Sequence, residues 1–98
     1  MNRQQRNQII ASSHNVLNVM FRLKQETGRV YGMDELYEAV RGFTAGNFSK
    51  PKTRLKQASS AVNSIVEQVD SQQFDTFTHI LCDNLRTYLH GLSQAIKE

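Results

Sequence analysis

Ninety-eight residues, 39 % of them apolar and with a net charge of +3, are enough for one small domain and too few for two. Cys82 is the single cysteine, which excludes an internal disulfide and agrees with a reducing, cytoplasmic setting. No apolar run approaches the ~20 residues of a membrane span, and the run behind Arg3 and Arg6 is broken by Ser12, Ser13, His14 and Asn15, so it does not read as a signal-peptide core.

The charge is unevenly spread. Residues 1–56 hold ten Lys/Arg against four Asp/Glu, and residues 57–98 two against five, so the front stands at +6 and the back at −3. A basic front half points to a polyanionic or acidic partner.

Taken in order, residues 5–27 read as a first helix. Ile9, Val16, Met20 and Leu23 centre its apolar stripe, and Ile10, Leu17 and Phe21 widen it. A stripe that broad predicts two neighbours. Gly28 stands where a helix C-cap belongs, and Val30 and Tyr31 make a short link. Residues 34–41 read as a short helix, with Asp34 and Glu35 in its first turn, Leu36, Ala39 and Val40 facing in, Tyr37 at their border and Gly42 as its stop. Residues 43–50 form the main loop, turned at Gly46-Asn47 and pinned by Phe43 and Phe48.

Pro51 suits a first helical position, and a third helix follows over 51–69 with Leu55, Ala58, Val62, Ile65, Val66 and Val69 as its stripe. Asp70 is placed to cap a fourth helix over 71–96, with Gln73 in the capping-box position. That last helix carries Phe74, Phe77, Leu81, Leu85, Tyr88, Leu92 and Ile96 within roughly 80° of arc. Its steps of three and four residues repeat every eleven, close to a straight α-helix, so they favour a globular bundle. The link between helices three and four is very short, which predicts an antiparallel hairpin. No strand pattern appears. The expected fold is all-α: one domain over 1–98, a bundle of three long helices and one short one. The fourth helix exceeds what the short second helix can cover, which predicts a homodimer through it.

Chemistry has few candidates. There is no phosphate-cradling glycine loop, no His-Glu-x-x-His and no Gly-x-Ser-x-Gly, so no enzyme and no cofactor are expected. His79, Cys82 and Asp83 share a stretch of helix, but two or three ligands do not make a metal site, and Cys82 reads as a packing residue. Lys50, Lys52, Arg54 and Lys56 bring four cations to one helix start, where free N–H groups and the helix dipole attract phosphate. A short helix, a turn and a helix opened by Ser49-Lys50-Pro51 resembles a helix-turn-helix over residues 34–62, with a longer loop than usual. The resemblance implies a DNA-binding regulator of transcription that uses Asn47, Ser49, Lys50, Lys52, Thr53, Arg54 and Lys56. Arg54 lies closest to the apolar stripe, so about three of the four cations are expected to meet phosphate. The alternative is a protein-binding adaptor or inhibitor, of the secretion-chaperone or anti-host type, with Val19, Phe21, Ile80 and Leu89 as its partner surface. No membrane partner is expected.

Overall fold

The first helix begins at Asn2, whose side-chain oxygen accepts the Gln5 N–H at 2.8 Å. It ends at Gly28, which takes φ 78° and returns its N–H to the Lys24 carbonyl at 2.9 Å. The structure is a computed structural model that describes residues 1–28 and 30–97. Its elements are α1 (Arg3–Thr27), α2 (Met33–Thr44), α3 (Pro51–Asp70) and α4 (Thr76–Lys97), with no strand among the described residues.

Contacts fix the directions. Gln5, near the start of α1, donates to the Ala95 carbonyl near the end of α4, while Arg22 lies over the Phe77 ring at the other end of the pair. Tyr31, just before α2, receives Gln68 of late α3, while Ala39 receives Arg54 of early α3. Phe21 meets Tyr37, and Arg6 reaches Phe48 beyond the end of α2. The helices therefore run up, down, up and down. Each packs on its chain neighbours and α4 closes onto α1, giving a rod of 43 × 19 × 19 Å. The expected two neighbours of α1 are α2 and α4.

Ile9, Leu23, Leu36, Phe43, Ile65, Leu85 and Leu92 are among the fully buried side chains of one continuous core. The apolar spacing located most of it, with three corrections. Phe77 is 40 % exposed and Tyr88 36 %, while Thr78 and Cys82 are buried. α4 is thus turned by roughly 25° from its sequence stripe, because it must face α3 as well as α1. Leu55 sits at the core's edge and is half-buried. α2 also passes through Gly42 and ends at Thr44, so Phe43 is a buried helical residue and not part of the loop.

The fourth helix starts later than its apolar pattern suggests. Asp70 belongs to the end of α3, and residues 71–75 make the turn. Asp75 does the capping: its Oδ1 accepts the Thr78 N–H at 2.9 Å and the Thr78 hydroxyl at 2.7 Å. Thr78 is buried, so a cap at Asp75 also satisfies its hydroxyl. The predicted α3–α4 hairpin is present, and His79 Nδ1 lies 3.6 Å from the Asp70 carboxylate across it. The 22 residues of α4 lie along the 25 of α1, so most of its apolar face is covered within the chain, while Phe77, Ile80 and Tyr88 stay exposed.

Candidate nucleic-acid interface

The helix-turn-helix-like section is a helix, a six-residue turn and a helix, and its two helices are paired side by side. At one end of the pair, Gly32 lets the backbones close in: a β-carbon there would stand 2.8 Å from the Ala61 carbonyl. At the other end Arg54 ties α3 to α2. Its Nε donates to the Ala39 carbonyl at 3.2 Å. One terminal nitrogen donates to the Asn47 and Ser49 carbonyls at 2.9 and 3.0 Å. Its guanidinium carbon lies 3.9 Å from the centroid of the Phe43 ring. Burial lowers the Arg54 pKa from its ordinary value, and the group stays charged at neutral pH. Gly42, expected as a helix stop, is there for this contact, since a β-carbon at 42 would run into the guanidinium.

The turn completes itself. Asn47 Oδ1 accepts the Ser49 N–H at 3.1 Å and its hydroxyl at 2.8 Å, and the Asn47 N–H returns to the Gly42 carbonyl at 2.9 Å. Gly46 takes φ 82°, and Lys50 takes φ 48° as the residue before Pro51. No side chain caps α3, so the first N–H groups of this helix have no side-chain acceptor.

Of the seven predicted contact residues, then, Arg54 is a clamp, and Asn47 and Ser49 form the turn. Lys50, Lys52, Thr53 and Lys56 are exposed. Thr53 and Lys56 also edge a shallow groove of about 730 Å³ between α2 and α3, whose floor includes Gly32, Ala39 and Ala61 and whose other rim carries Glu35 and Glu38.

The antiparallel order brings further cations to the lysines. Arg3 and Arg6 start α1, Lys97 ends α4, and both places lie at the end of the rod that holds the 45–50 turn. Glu26, Asp34, Glu35, Glu67, Asp70 and Asp75 sit at the opposite end, with Glu38 and Asp83 between. The described carboxylates thus gather at mid-length and beyond, where Arg22 and Lys24 near the end of α1 accompany them, and cations without carboxylates occupy the other end. The sequence held this signal, because an even number of antiparallel helices returns both termini to one end.

The four residues read as a partner surface are not brought together as one patch. Val19 and Leu89 are partly buried against the core, Phe21 leans on Tyr37 of α2, and Ile80 is exposed on α4. Cys82 is 3 % exposed. Its thiol pKa is raised by burial first and then by the charges of Asp70 and Asp83, with Arg86 opposing them. Among the described residues no three His, Cys, Asp or Glu side chains converge as metal ligands would, and no helix is long and apolar enough to cross a membrane. Comparison with known proteins gives no significant match to a family model, a curated protein or a solved structure.

Proposed function

We propose that this protein is a small non-enzymatic DNA-binding regulator whose single chain holds duplex phosphates at the basic end of its rod. One observation carries the reading: Lys50, Lys52 and Lys56 share that end with Arg3, Arg6 and Lys97, while the described carboxylates lie at mid-length or beyond. A phosphate approaching α3 also meets uncapped N–H groups and the positive end of the helix dipole. The contacts are to the backbone of the duplex, so they position the protein and carry little sequence preference. With Arg54 committed to carbonyls, the α3 segment supplies three cations.

A salt titration of affinity for random duplex DNA tests this. The log–log slope should be near −3 for the α3 lysines alone, at about −0.9 per phosphate, and steeper if α1 takes part. Lys52→Gln with Lys56→Gln should flatten it by about 2, and Arg3→Gln with Arg6→Gln should flatten it further. No retardation at tens of micromolar protein and about 150 mM salt, or a slope that ignores both pairs, would remove the nucleic acid. The protein-binding reading would then stand in its place, and it has its own observation in the exposed rings of α1, α2 and α4.

A further inference from the structure

The groove between α2 and α3 is a single hollow of about 730 Å³ on the side of the rod away from α1 and α4. Its floor is small: Gly32, Ala39 and Ala61 leave room for another element to come close. Its rims differ in charge. Glu35 and Glu38 stand on the α2 rim, and Lys56 stands on the α3 rim. Arg54 meets the Ala39 carbonyl, which sets Lys56 near the level of Glu38. Glu38 lies 3.3 Å from Arg41 of its own helix, and both side chains are more than half exposed. Glu35 is exposed and has no ion pair among the described residues.

Tyr31 stands at one end of the groove and is 85 % exposed, more than any other large apolar side chain among the described residues. Its backbone is held on both sides. The Tyr31 N–H donates to Gln68 Oε1 at 2.8 Å, and Gln68 Nε2 donates to the Tyr31 carbonyl at 2.6 Å. A fixed backbone thus presents an open ring, the kind of side chain that anchors interfaces. Gln68 Nε2 also lies 2.9 Å from the Ser64 carbonyl, so Tyr31 is level with Ser64 on the opposite rim. Ser60, Ala61 and Ser64 make that stretch of α3 a shallow seat for a ring.

A surface that carries both halves of a contact fits a copy of itself, as a two-fold interface requires. Two axes bring two such grooves face to face. An axis across the rods lays α2 on α2, sets Glu35 and Glu38 against the same carboxylates, and takes Tyr31 away from its seat. An axis along the rods lays each α2 on the other copy's α3 at the same level. Glu35 and Glu38 then face the partner subunit's Lys56, and Tyr31 faces the partner's Ser64. Charge and shape choose the same axis. We infer that the α2–α3 groove docks a second copy of this chain about a two-fold axis parallel to the rod, with Tyr31 as the knob. This face differs from the fourth helix, through which the sequence predicts a homodimer. The 12 residues of α2 cover only about 18 Å of the rod. The interface is therefore smaller than the ~800 Å² per copy of stable dimers, and association is weak, with Kd on the order of tens of micromolar. Lys56 serves one contact at a time, so the monomer offers Lys50, Lys52 and Lys56 to phosphate and the dimer only the first two of each chain. The inference does not otherwise rest on the nucleic-acid reading.

Sedimentation of the full chain without nucleic acid, from about 1 µM to about 1 mM, tests this. The mass should rise from one chain to two. Tyr31→Ser should move that transition to at least about tenfold higher concentration. Glu35→Lys/Glu38→Lys and Lys56→Glu should each do the same, because each sets like charges face to face. Mixing the two charge variants should restore association, since each copy then offers what the other lacks. Melting curves check the folding of every variant, and Glu35→Gln/Glu38→Gln gives a smaller shift in the same direction if a reversal does not fold. A chain that stays single throughout the range, or a dimer indifferent to Tyr31→Ser and to both reversals, would overturn the inference. So would folded charge variants that do not recover on mixing. Stronger association of Glu35→Lys/Glu38→Lys would also overturn it, by laying α2 on α2.

Discussion

The two turns that close the rod solve one problem with opposite charges. At 45–50, the turn that follows α2 presents the carbonyls of Asn47 and Ser49, and a cation, Arg54, reaches across from α3 to bind them together with the Ala39 carbonyl of α2. At 71–75, the N-terminal end of α4 presents N–H groups, and an anion, Asp75, accepts one together with the Thr78 hydroxyl. Each side chain has the sign that the helix dipole favours at its site. They differ in what else they touch. Arg54 packs on the buried Phe43 ring and joins two helices and a turn, whereas Asp75 is exposed and bonds three residues ahead in its own helix. A charge that organises tertiary packing should therefore matter far more than one that caps a single helix.

Removing Arg54 should have the largest effect. Arg54→Ala takes three charge-assisted hydrogen bonds and a ring contact from the α2–α3 junction, and is expected to cost about 2–3 kcal/mol, seen as a lower denaturation midpoint. Arg54→Lys should rescue little, because an ammonium cannot reproduce the planar fork that reaches Ala39 on one side and Asn47 with Ser49 on the other. If lysine restored the midpoint, the charge alone would be at work. The same variant separates structure from binding: in the fraction that remains folded, the salt slope for DNA should keep the contribution of the α3 lysines.

Gly42 sharpens the contrast through a change of sign. Alanine normally favours a helix over glycine by about 1 kcal/mol. Gly42→Ala should nonetheless destabilise by about 1–2 kcal/mol, because the new β-carbon displaces the guanidinium of Arg54. In an Arg54→Ala background that conflict is gone, and Gly42→Ala should stabilise by up to about 1 kcal/mol. A cycle of four denaturation curves measures the reversal. Equal effects in both backgrounds would show that Arg54 and Gly42 are not coupled.

Ser13, buried midway along α1, tests the packing in the other direction. Its hydroxyl is fully buried and has no hydrogen-bond partner, so Ser13→Ala should be neutral or stabilising, by up to about 1 kcal/mol in thermal melts. A clear loss would mean that the hydroxyl is satisfied.

What the sequence revealed, and what it hid, follows the same division. Helices α1 and α3 were legible because their stripes and terminal signals, Gly28 and Pro51, are local. The failures came where a distant side chain decides. Gly42 reads as a stop because glycine usually is one, and only the arrival of Arg54 from α3 explains its place inside α2. Phe77 reads as core because its spacing is right, but the face that α4 buries is set by two neighbours that spacing does not name. Of the candidate site, the lysines of α3 were plain, and the proximity of Arg54 to the apolar stripe hinted that it would be lost to packing. Arg3, Arg6 and Lys97 needed the up-down topology before they could join the same end.

The smallest effect should come from Asp75, and it should appear only in acid. The Thr78 hydroxyl and then the Thr78 N–H lower its pKa from the ordinary aspartate value, with burial opposing them and the charge of His79 adding a little. A carboxyl whose folded pKa is depressed binds its proton less readily in the native chain than in the unfolded one. Its contribution is therefore complete above the unfolded value of about 3.9 and fades as the pH falls through the lowered folded value. Asp75→Asn keeps an acceptor for Thr78 and removes the titration. The melting temperature of the unmodified chain should then exceed that of Asp75→Asn by a constant margin near neutrality, and the margin should shrink towards zero as the pH drops below about 4. Taking the difference cancels the other carboxylates, which titrate alike in both proteins. A margin that is flat through the acid range would mean that the cap works by shape alone, and one that widens in acid would reverse the sign of the pKa shift.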